Sequence, residues 1–310
     1  MAQTGAVPQV QTRGRRRLGF GRDRDWPWAL LFLAPNLTLF LVFFAYPVVY
    51  GLYISFFNWK IVGTKRWVGL QNYSDILKDD LTPKLLTNSV YYVVGTTIPL
   101  ILFALIIATM LNAVVFGKYA WRGLYFLPLV SSPVAAAAVW KWLYAKDQGL
   151  INYAMIQVGI DRIDWLYSTR WAMPALIIMT IWQLLPFNTI IYLAGLQEVP
   201  RSLYDAAEVD GATGWQKFRD ITIPMVTPTT FFVLTITLFN LLFGSFDIIN
   251  VMTQGGPLDA TNVFVYNIYE NAFKNFRMGY ASAQAYLLFV VVFAFTIGNW
   301  IFQKRWVYYE

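Results

Sequence analysis

Polar and aromatic side chains interrupt two long apolar segments of the chain, and their types suit the binding of a polar solute. They are Thr180, Trp182, Gln183, Phe187 and Asn188 in the first segment and Thr237, Asn240 and Gly244 in the second. An indole ring can lie against the C–H faces of a solute, while amides and hydroxyls bond to its hydroxyl groups. Such groups are costly inside a membrane, which makes them candidates for function. The alternative is that they hold helices together, at about 0.6–2 kcal/mol per hydrogen bond.

The spacing of these residues predicts how they are presented. Thr237, Asn240 and Gly244 recur at intervals of three and four, so they should share one face of a helix. Pro186 predicts a break in the other segment. A broken helix near the middle of a membrane is where transporters place binding sites.

Residue types that the chain lacks exclude other chemistries. Its 310 residues include no Cys and no His. Thiol nucleophiles, thiolate metal sites and disulfides are therefore excluded, as is the usual acid–base residue near neutral pH. We expect no catalytic residue and no metal site. The net charge of +7 indicates a positive-inside bias across a membrane rather than a nucleic-acid partner.

The composition indicates an integral membrane protein. Charged residues make up 13% of the chain, about half the share in soluble domains, and hydrophobic residues 57%. Six segments are long and apolar enough to cross a bilayer as helices. They cover residues 28–57, 88–116, 124–144, 171–195, 225–246 and 280–302. Prolines inside several of them predict kinked helices packed around a cavity.

Positive charges at both ends predict the orientation. A tail of residues 1–27 carries six Arg, and the last residues, 303–310, include Lys304 and Arg305. Six crossings of the transmembrane domain, residues 28–302, put both ends on one side, which the positive-inside rule makes cytoplasmic. The external loops are then 58–87, 145–170 and 247–279, and the cytoplasmic loops are 117–123 and 196–224.

One cytoplasmic loop is polar and charged, although it lies between two apolar segments. Two capping boxes are predicted in it, Ser202 with Asp205 and Thr213 with Gln216. Gly211 falls in the usual glycine position after a helix. The sequence therefore predicts two short helices joined at a bend.

Two interpretations of this helix pair stay open from the residues alone. It is either a well-formed loop that lies on the membrane or a docking element for a partner. Asp205, Ala206 and Ala207 are compact enough for a partner to approach closely. Trp215 and Phe218 offer an apolar anchor of the kind that often carries the energy of an interface.

The same loop resembles a motif of the membrane subunits of ABC importers. The EAA motif reads E-A-A, three residues, G, nine residues and I-x-L-P. The matching residues are Asp205, Ala206, Ala207, Gly211, Ile221, Ile223 and Pro224. The spacing is complete, but Asp205 stands where Glu is usual and Ile223 where Leu is usual. The shorter carboxylate puts in question its reach to an Arg or Lys of the partner.

Two further stretches extend the resemblance over most of the chain. WVGLQNY at residues 67–73 resembles a segment of carbohydrate-uptake permeases, and TQGGP at residues 253–257 resembles their external Gly-Gly-Pro loop. Together they resemble the maltose/glycerol-phosphate branch. The resemblance implies the type I ABC importer permease fold: an all-α polytopic membrane protein with six transmembrane helices and a cytoplasmic coupling helix pair at residues 202–222. It also implies the cytoplasmic (inner) membrane of a bacterium or archaeon.

The resemblance implies roles for particular residues. The ATPase-coupling residues would be Asp205, Ala206, Ala207, Glu208, Gly211, Trp215 and Phe218. The substrate-binding residues would be Thr180, Trp182, Gln183, Phe187, Thr237, Asn240 and Gly244. Gly244 lacks a side chain where the relative has an amide, which implies a different ligand. Gly255, Gly256 and Pro257 would either contact a binding protein or form only a tight turn.

The function implied is ATP-driven import of a sugar, an oligosaccharide or a glycerol-phosphate-like solute. The partners would be a second permease subunit in a heterodimer, two ATPase subunits, an extracellular solute-binding protein and membrane lipid. The chain has no Walker motif, so ATP and Mg would be bound by the ATPase subunits, and this chain would bind no cofactor.

Three other classes of protein were considered. An ion-gradient-driven secondary transporter would need a membrane-buried carboxylate, and no Asp or Glu lies well inside the six segments. A membrane-embedded enzyme is disfavoured by the lack of His and Cys. A receptor or scaffold without transport is left to experiment.

Overall fold

The computed structural model describes residues 26–60, 63–113, 123 and 125–306. The chain divides into two compact units, Met1–Gly51 and Leu52–Glu310. Most of the basic tail predicted from the sequence lies outside the described residues, as do the side chains of Lys304 and Arg305. The orientation predicted from these charges therefore stays a prediction.

A helical segment of 30 residues begins in the first unit. It consists of α1 (Trp26–Phe40), a π-helical turn (Leu41–Ala45) and α2 (Tyr46–Ser55). No side chain of α1 or of the turn is buried, and the residues are apolar on all sides, as expected of a helix surrounded by lipid or by other helices. Pro47 follows the turn closely. Because a proline ring clashes with the carbonyl four residues earlier, a wider π turn relieves the helix there.

The second unit holds the helices that follow and one short strand pair. Strands β1 (Phe57–Asn58) and β2 (Arg66–Trp67) pair antiparallel. The first helices are α3 (Gln71–Lys78), α4 (Leu81–Ala113), α5 (Leu127–Val130), α6 (Pro133–Leu143), α7 (Leu150–Gln157) and α8 (Ala172–Glu198). The later ones are α9 (Arg201–Val209), α10 (Gly214–Lys217), α11 (Ile223–Met225), α12 (Thr227–Phe243), α13 (Phe246–Met252), α14 (Phe264–Tyr269) and α15 (Met278–Trp306). Two π-helical turns, Phe218–Thr222 and Glu270–Lys274, interrupt this series.

The helix lengths confirm the predicted all-α polytopic class. In the described part of the chain, four helices are long and apolar enough to cross a membrane. They are Trp26–Ser55, Leu81–Ala113, Ala172–Glu198 and Met278–Asn299. A fifth span is counted if Gly214–Met225 and Thr227–Phe243, which meet at an angle of 64°, are taken together.

The third predicted span, residues 124–144, is divided into two helices, a stronger interruption than the kink that its prolines predict. Residue 124 lies outside the described residues, and the remainder forms α5 and α6 with a break at Ser131 and Ser132. Both serines have extended backbone, with ψ near 139° and 134°. Pro133 explains the break, because proline restricts the preceding residue to extended conformations and has no N–H to donate.

Pro186, by contrast, does not break α8. The helix runs without interruption from Ala172 to Glu198 with Pro186 inside it, so the break predicted there is wrong. Packing gives the reason. Pro186 is buried. In the most apolar 18-residue stretch of α8, 56% of the residues are buried, and the helix packs chiefly against α4. Neighbouring helices that hold the backbone in place allow a proline within a membrane helix.

Three clusters of buried apolar side chains hold the second unit together. The largest, cluster one, joins α4, α6, α8, α13 and α14 around Leu176, Met179 and Tyr266. Cluster two joins α4 and α8 to the start of α12, around Tyr192 and Val226. The smallest lies between α3 and the start of α15. These clusters fix the positions of α6, α8 and α12, which carry the candidate solute residues.

The WVGLQNY stretch ties the loop that follows α2 to the end of that helix. The Asn72 side chain donates from Nδ2 to the carbonyls of Ser55 at 2.7 Å and Phe57 at 3.0 Å. The Tyr73 hydroxyl shares a 2.7 Å hydrogen bond with Ser55 Oγ. Gly69 has a φ of +57°, a left-handed conformation that suits glycine. This stretch therefore has a clear structural role.

Candidate functional site

The first helix of the polar pair begins without the predicted capping box. Helix α9 has Pro200 at its N-cap, and no side chain accepts a hydrogen bond there. Ser202 lies inside the first turn, two residues after the N-cap position. The prediction of a box between Ser202 and Asp205 is wrong, because Pro200, whose φ is already fixed near the helical value, starts the helix earlier.

The bend between the two helices is a Schellman motif. The Ala212 N–H donates to the Ala207 carbonyl at 2.8 Å, and the Gly211 N–H donates to the Glu208 carbonyl at 3.1 Å. Gly211 has a φ of +78°. The prediction that Gly211 ends the first helix is confirmed, and the bend has a defined geometry.

The second helix begins with the capping box that the sequence predicts. The Gln216 N–H donates to Thr213 Oγ1 at 3.3 Å, and the Thr213 N–H donates to Gln216 Oε1 at 2.7 Å. An ion pair crosses the bend, from Lys217 Nζ to Glu208 Oε2 at 3.2 Å. Caps at both sides of the bend and this pair make the two helices one rigid unit.

The helix pair presents an apolar surface at its bend. Val209 is 88% exposed and Trp215 is 66% exposed, and the Trp215 ring lies 5.7 Å from the Phe218 ring. Asp205, like Ala206, Glu208 and Gly211, is exposed, while Ala207 and Phe218 are half-buried. Large exposed apolar side chains next to a carboxylate are typical of a surface that binds another protein.

A second candidate site is a cleft between α6 and α8. Its volume is about 320 Å³, and it is lined by Ser131, Ala135, Ala136, Val139, Trp140, Leu143 and Trp182. The Trp140 and Trp182 rings lie 5.6 Å apart at an angle of 60°. Of the predicted substrate residues, Trp182 faces this cleft. Trp140 and Ser131 were not predicted, because nothing in their spacing links them to Trp182.

Gln183 holds the broken third span in place. It is only 8% exposed, and its Nε2 donates to the carbonyls of Pro128 at 3.2 Å and Ser131 at 3.4 Å. These carbonyls lie at the end of α5, where the Pro128 carbonyl also accepts from the Ser131 N–H at 3.2 Å and from Ser131 Oγ at 2.7 Å. The Gln183 Oε1 atom is buried and has no hydrogen-bond partner within the described residues. Gln183 therefore combines a structural donor with an unused acceptor.

The other predicted substrate residues fall into different surroundings. Thr180 shares a 2.8 Å hydrogen bond with the Tyr92 hydroxyl, and Thr237 donates to Asn188 Oδ1 at 3.2 Å. Both bonds join neighbouring helices, as the alternative interpretation of these polar groups requires. The surroundings of the remaining three differ again: Phe187 is half-buried, and Asn240 and Gly244 are exposed. The seven residues thus do not form one cluster around a single cavity.

The TQGGP loop is an ordered turn. Gly255 has a φ of +79°, and a Cβ added there would lie 2.9 Å from the Tyr266 ring. Thr261 donates from Oγ1 to the Gly256 carbonyl at 2.7 Å, and the Gly256–Pro257 peptide bond is cis. The turn is thus shaped by close contacts. Binding of another protein by Gly255, Gly256 and Pro257 stays a prediction.

A charged side chain lies against the same tyrosine. The Lys274 ammonium donates to the Tyr266 hydroxyl at 2.7 Å and to Glu270 Oε1 at 3.2 Å. These contacts, first that with Tyr266, raise the pKa of Lys274. Lys274 is therefore a fixed cation beside the TQGGP turn.

Several spans, a cleft with an aromatic wall, and a rigid polar helix pair between two of the spans define a transport protein of the membrane-permease class. Comparison with known families gives the same class. The chain belongs to the family of binding-protein-dependent transport system inner membrane components, which matches residues 87–307. It is a multi-pass permease of a binding-protein-dependent ABC importer.

Relatives share sequence over nearly the whole chain. The sn-glycerol-3-phosphate transport system permease protein UgpA of Agrobacterium fabrum is 33% identical over 280 residues, which are 90% of this chain and 95% of the relative. The probable ABC transporter permease protein YesP of Bacillus subtilis is 35% identical over 286 residues, 90% of this chain and 91% of the relative.

Solved structures share the fold. A chain of a bacterial ABC transporter involved in the import of the acidic polysaccharide alginate superposes with a TM-score of 0.81 at 25% identity, covering 91% of this chain and 96% of that one. A chain of a bacterial alginate ABC transporter, in complex with an alginate pentasaccharide-bound periplasmic protein, has the same TM-score and identity. That superposition covers 93% of this chain and 98% of the other.

Proposed function

We propose that this permease translocates a neutral sugar or oligosaccharide that an extracellular binding protein delivers. The observation that supports this most directly is the aromatic wall of Trp140 and Trp182 in the cleft between α6 and α8. Indole rings suit the C–H faces of a sugar ring. A second permease subunit in a heterodimer would close the open side of the cleft.

The lining of the cleft supports a neutral solute over an anionic one. UgpA is named for sn-glycerol-3-phosphate and the solved structures for alginate, and both solutes are anionic. The residues that line this cleft include no Lys or Arg. Phosphate and carboxylate recognition relies on such charge-assisted bonds. The glycerol-phosphate alternative is therefore less well supported than a sugar.

Transport assays with purified subunits test the solute class. Binding-protein-dependent uptake of neutral sugars, with no competition from sn-glycerol 3-phosphate, is the expected result. Uptake of sn-glycerol 3-phosphate without uptake of any neutral sugar would contradict the assignment. A ligand screen on the cognate binding protein then identifies the particular sugar.

The polar helix pair is the proposed docking element for an ATPase subunit. Its rigidity and its exposed Trp215 and Val209 support this role. Asp205 would pair with a basic side chain of that subunit. Because this chain has no Walker motif, two ATPase subunits would bind and hydrolyse Mg-ATP for it. Trp215→Ala should reduce co-purification of the ATPase subunits, whereas the control Val158→Ala, an exposed apolar residue elsewhere in the chain, should not.

The mechanism we propose is alternating access. Closure of the ATPase dimer would draw the helix pairs of the two permeases together, and the spans would reopen toward the outside. The permease would then have two conformational states. ATP on one side of the membrane and the loaded binding protein on the other would shift the balance between them. Loss of uptake without loss of assembly in Asn240→Ala would argue against a receptor or scaffold.

The orientation of the chain follows from this proposal. The helix pair must face the cytoplasm, and an even number of spans puts the N- and C-termini on the same side. Because the chain contains no Cys, single cysteines introduced at Asp210 and at Leu258 can be labelled separately. An impermeant thiol reagent should label Leu258→Cys from outside and Asp210→Cys only after permeabilisation.

A further inference from the structure

Helix α9 touches the body of the permease chiefly through one side chain. The helix buries none of its residues fully, but Tyr204 is half-buried. Its hydroxyl shares a 2.9 Å hydrogen bond with Thr222 Oγ1. Thr222 is 4% exposed and is the last residue of the π-helical turn Phe218–Thr222. This bond joins the first helix of the polar pair to the base of the fifth span.

The Tyr204 ring lies on cluster two. It packs there together with Ile221, against buried residues that include Leu196, Val199 and Val226. Leu196 and Val199 mark the end of the fourth span, and Val226 marks the start of the fifth. Tyr204 therefore lies where the polar helix pair and two spans meet.

Thr222 lies four residues before Val226, where the fifth span bends. The Val226 N–H donates to the Thr222 carbonyl at 3.1 Å, and the chain turns by 64° between Gly214–Met225 and Thr227–Phe243. A displacement of α9 that is carried to Thr222 would thus act on the base of α12. Helix α12 carries Thr237 and Asn240, which were predicted to bind substrate.

We infer that Tyr204 and Thr222 are positioning residues that transmit movement of α9 to α12. Apolar contacts allow helices to slide past each other, whereas a hydrogen bond fixes both distance and direction. A hydroxyl left without its partner in this half-buried place would be unfavourable, so the bond favours states in which α12 follows α9 over states in which the two separate. The inference rests on the proposed docking of the helix pair to an ATPase subunit.

Spin-label distances in the assembled importer test the link. Labels at Asp210→Cys in the bend and Phe243→Cys at the end of α12 are both on exposed positions, and the chain has no other Cys. We expect trapping with Mg-ADP and vanadate to move part of the population to a new distance. In Tyr204→Phe and in Thr222→Val, the ratio of shifted to unshifted populations should fall about threefold to tenfold, the range for one hydrogen bond.

Three further variants separate the bond from general packing. Thr222→Ser keeps the hydroxyl and should keep the wild-type ratio. Thr222 Oγ1 also donates to the Lys217 carbonyl at 3.4 Å, so the double variant Tyr204→Phe with Thr222→Val should be no worse than Thr222→Val alone, in which the shared bond is already lost. Tyr192→Phe removes a similar bond to Thr230, of 3.1 Å, in the same cluster, and it should leave the ratio unchanged.

The outcomes distinguish this inference from the proposed function. A wild-type ratio in Tyr204→Phe, or an equal loss in Tyr192→Phe, overturns the link while docking stands. If wild-type permease does not co-purify with its ATPase subunits, the proposed docking fails, and the link fails with it.

Discussion

The indole rings of Trp140 and Trp182 lie 5.6 Å apart, although the two residues are separated by 42 positions in the sequence and belong to different helices. They line one cleft together with Ser131 at the break between α5 and α6. The break and the aromatic wall thus occur at the same place, and both depend on α8 for their position.

Removal of either ring should weaken solute transport. Trp182→Ala and Trp140→Ala each remove one ring of the wall, and we expect a rise of about tenfold in the solute concentration for half-maximal uptake, near the worth of one aromatic contact. Trp142→Ala is the matched control, because Trp142 is exposed on the same helix and does not line the cleft. Equal effects of Trp142→Ala and Trp140→Ala would speak against the cleft.

Replacement of Gln183 should destabilise the permease. Gln183→Leu removes the donor to the Pro128 and Ser131 carbonyls at the break; the Pro128 carbonyl keeps its bonds from Ser131, whereas the Ser131 carbonyl loses the bond from Gln183. We expect a loss of about 1–3 kcal/mol, seen as a lower Tm of the purified complex. Gln157→Leu, at an exposed position, should leave the Tm unchanged. An unchanged Tm in Gln183→Leu would show that these bonds do not hold the break.

A proline at the bend of the helix pair should uncouple ATP hydrolysis from uptake. Gly211→Pro cannot adopt a φ of +78°, and it lacks the N–H that bonds to Glu208. Gly211→Ala meets no neighbour within 4 Å and should cost only about 1–2 kcal/mol for its left-handed conformation. Membrane insertion should be normal in both variants. Transport per ATP hydrolysed should fall sharply in Gly211→Pro and slightly in Gly211→Ala; the opposite order would contradict the role of the bend.

Loss of the capping box should loosen the second helix locally. Thr213→Ala removes the acceptor for the Gln216 N–H and should destabilise α10 by about 1 kcal/mol. Amide hydrogen exchange should be faster in residues 214–217 and unchanged in α9. Protection equal to wild type would mean that the box adds nothing to the stability of α10.

The external turn can be tested by a pair of glycine variants. Gly255→Ala combines a φ of +79° with a contact of 2.9 Å to the Tyr266 ring, so the turn must change shape. Gly159→Ala has the same φ but meets nothing within 4 Å. If the turn contacts the binding protein, Gly255→Ala should lower the affinity of the permease for the binding protein at least several-fold more than Gly159→Ala does. Equal affinities would leave the turn with only a structural role.

Local signals in the sequence were sufficient for the polar helix pair. Gly211 and Thr213 act on backbone groups only a few residues away, so their spacing alone predicted the bend and the second cap correctly. Ser202 carried the same kind of signal, yet Pro200 started the helix first. A local rule fails when a neighbouring residue satisfies the same requirement earlier in the chain.

The effect of each proline on its helix and the pairing of the aromatic rings could be seen only in the tertiary structure. Pro133 and Pro186 look alike in the sequence, but the chain breaks just before Pro133, whereas Pro186 lies within an intact helix supported by α4. The pairing of Trp140 with Trp182 depends on how α6 packs against α8, which no spacing reveals. For the same reason, the sequence did not distinguish Thr180 and Thr237, which bond to neighbouring helices, from residues exposed to a cavity.

ATP-dependent uptake into proteoliposomes tests the central claim most directly. The chain would be reconstituted with its second permease, the ATPase subunits and the loaded binding protein, with no ion gradient. We predict uptake that requires ATP and that is abolished by Asp205→Lys but not by Asp210→Lys, a matched charge reversal at an exposed position whose residue type the motif does not specify. Uptake driven by an ion gradient in liposomes that contain no ATPase subunit would contradict the account.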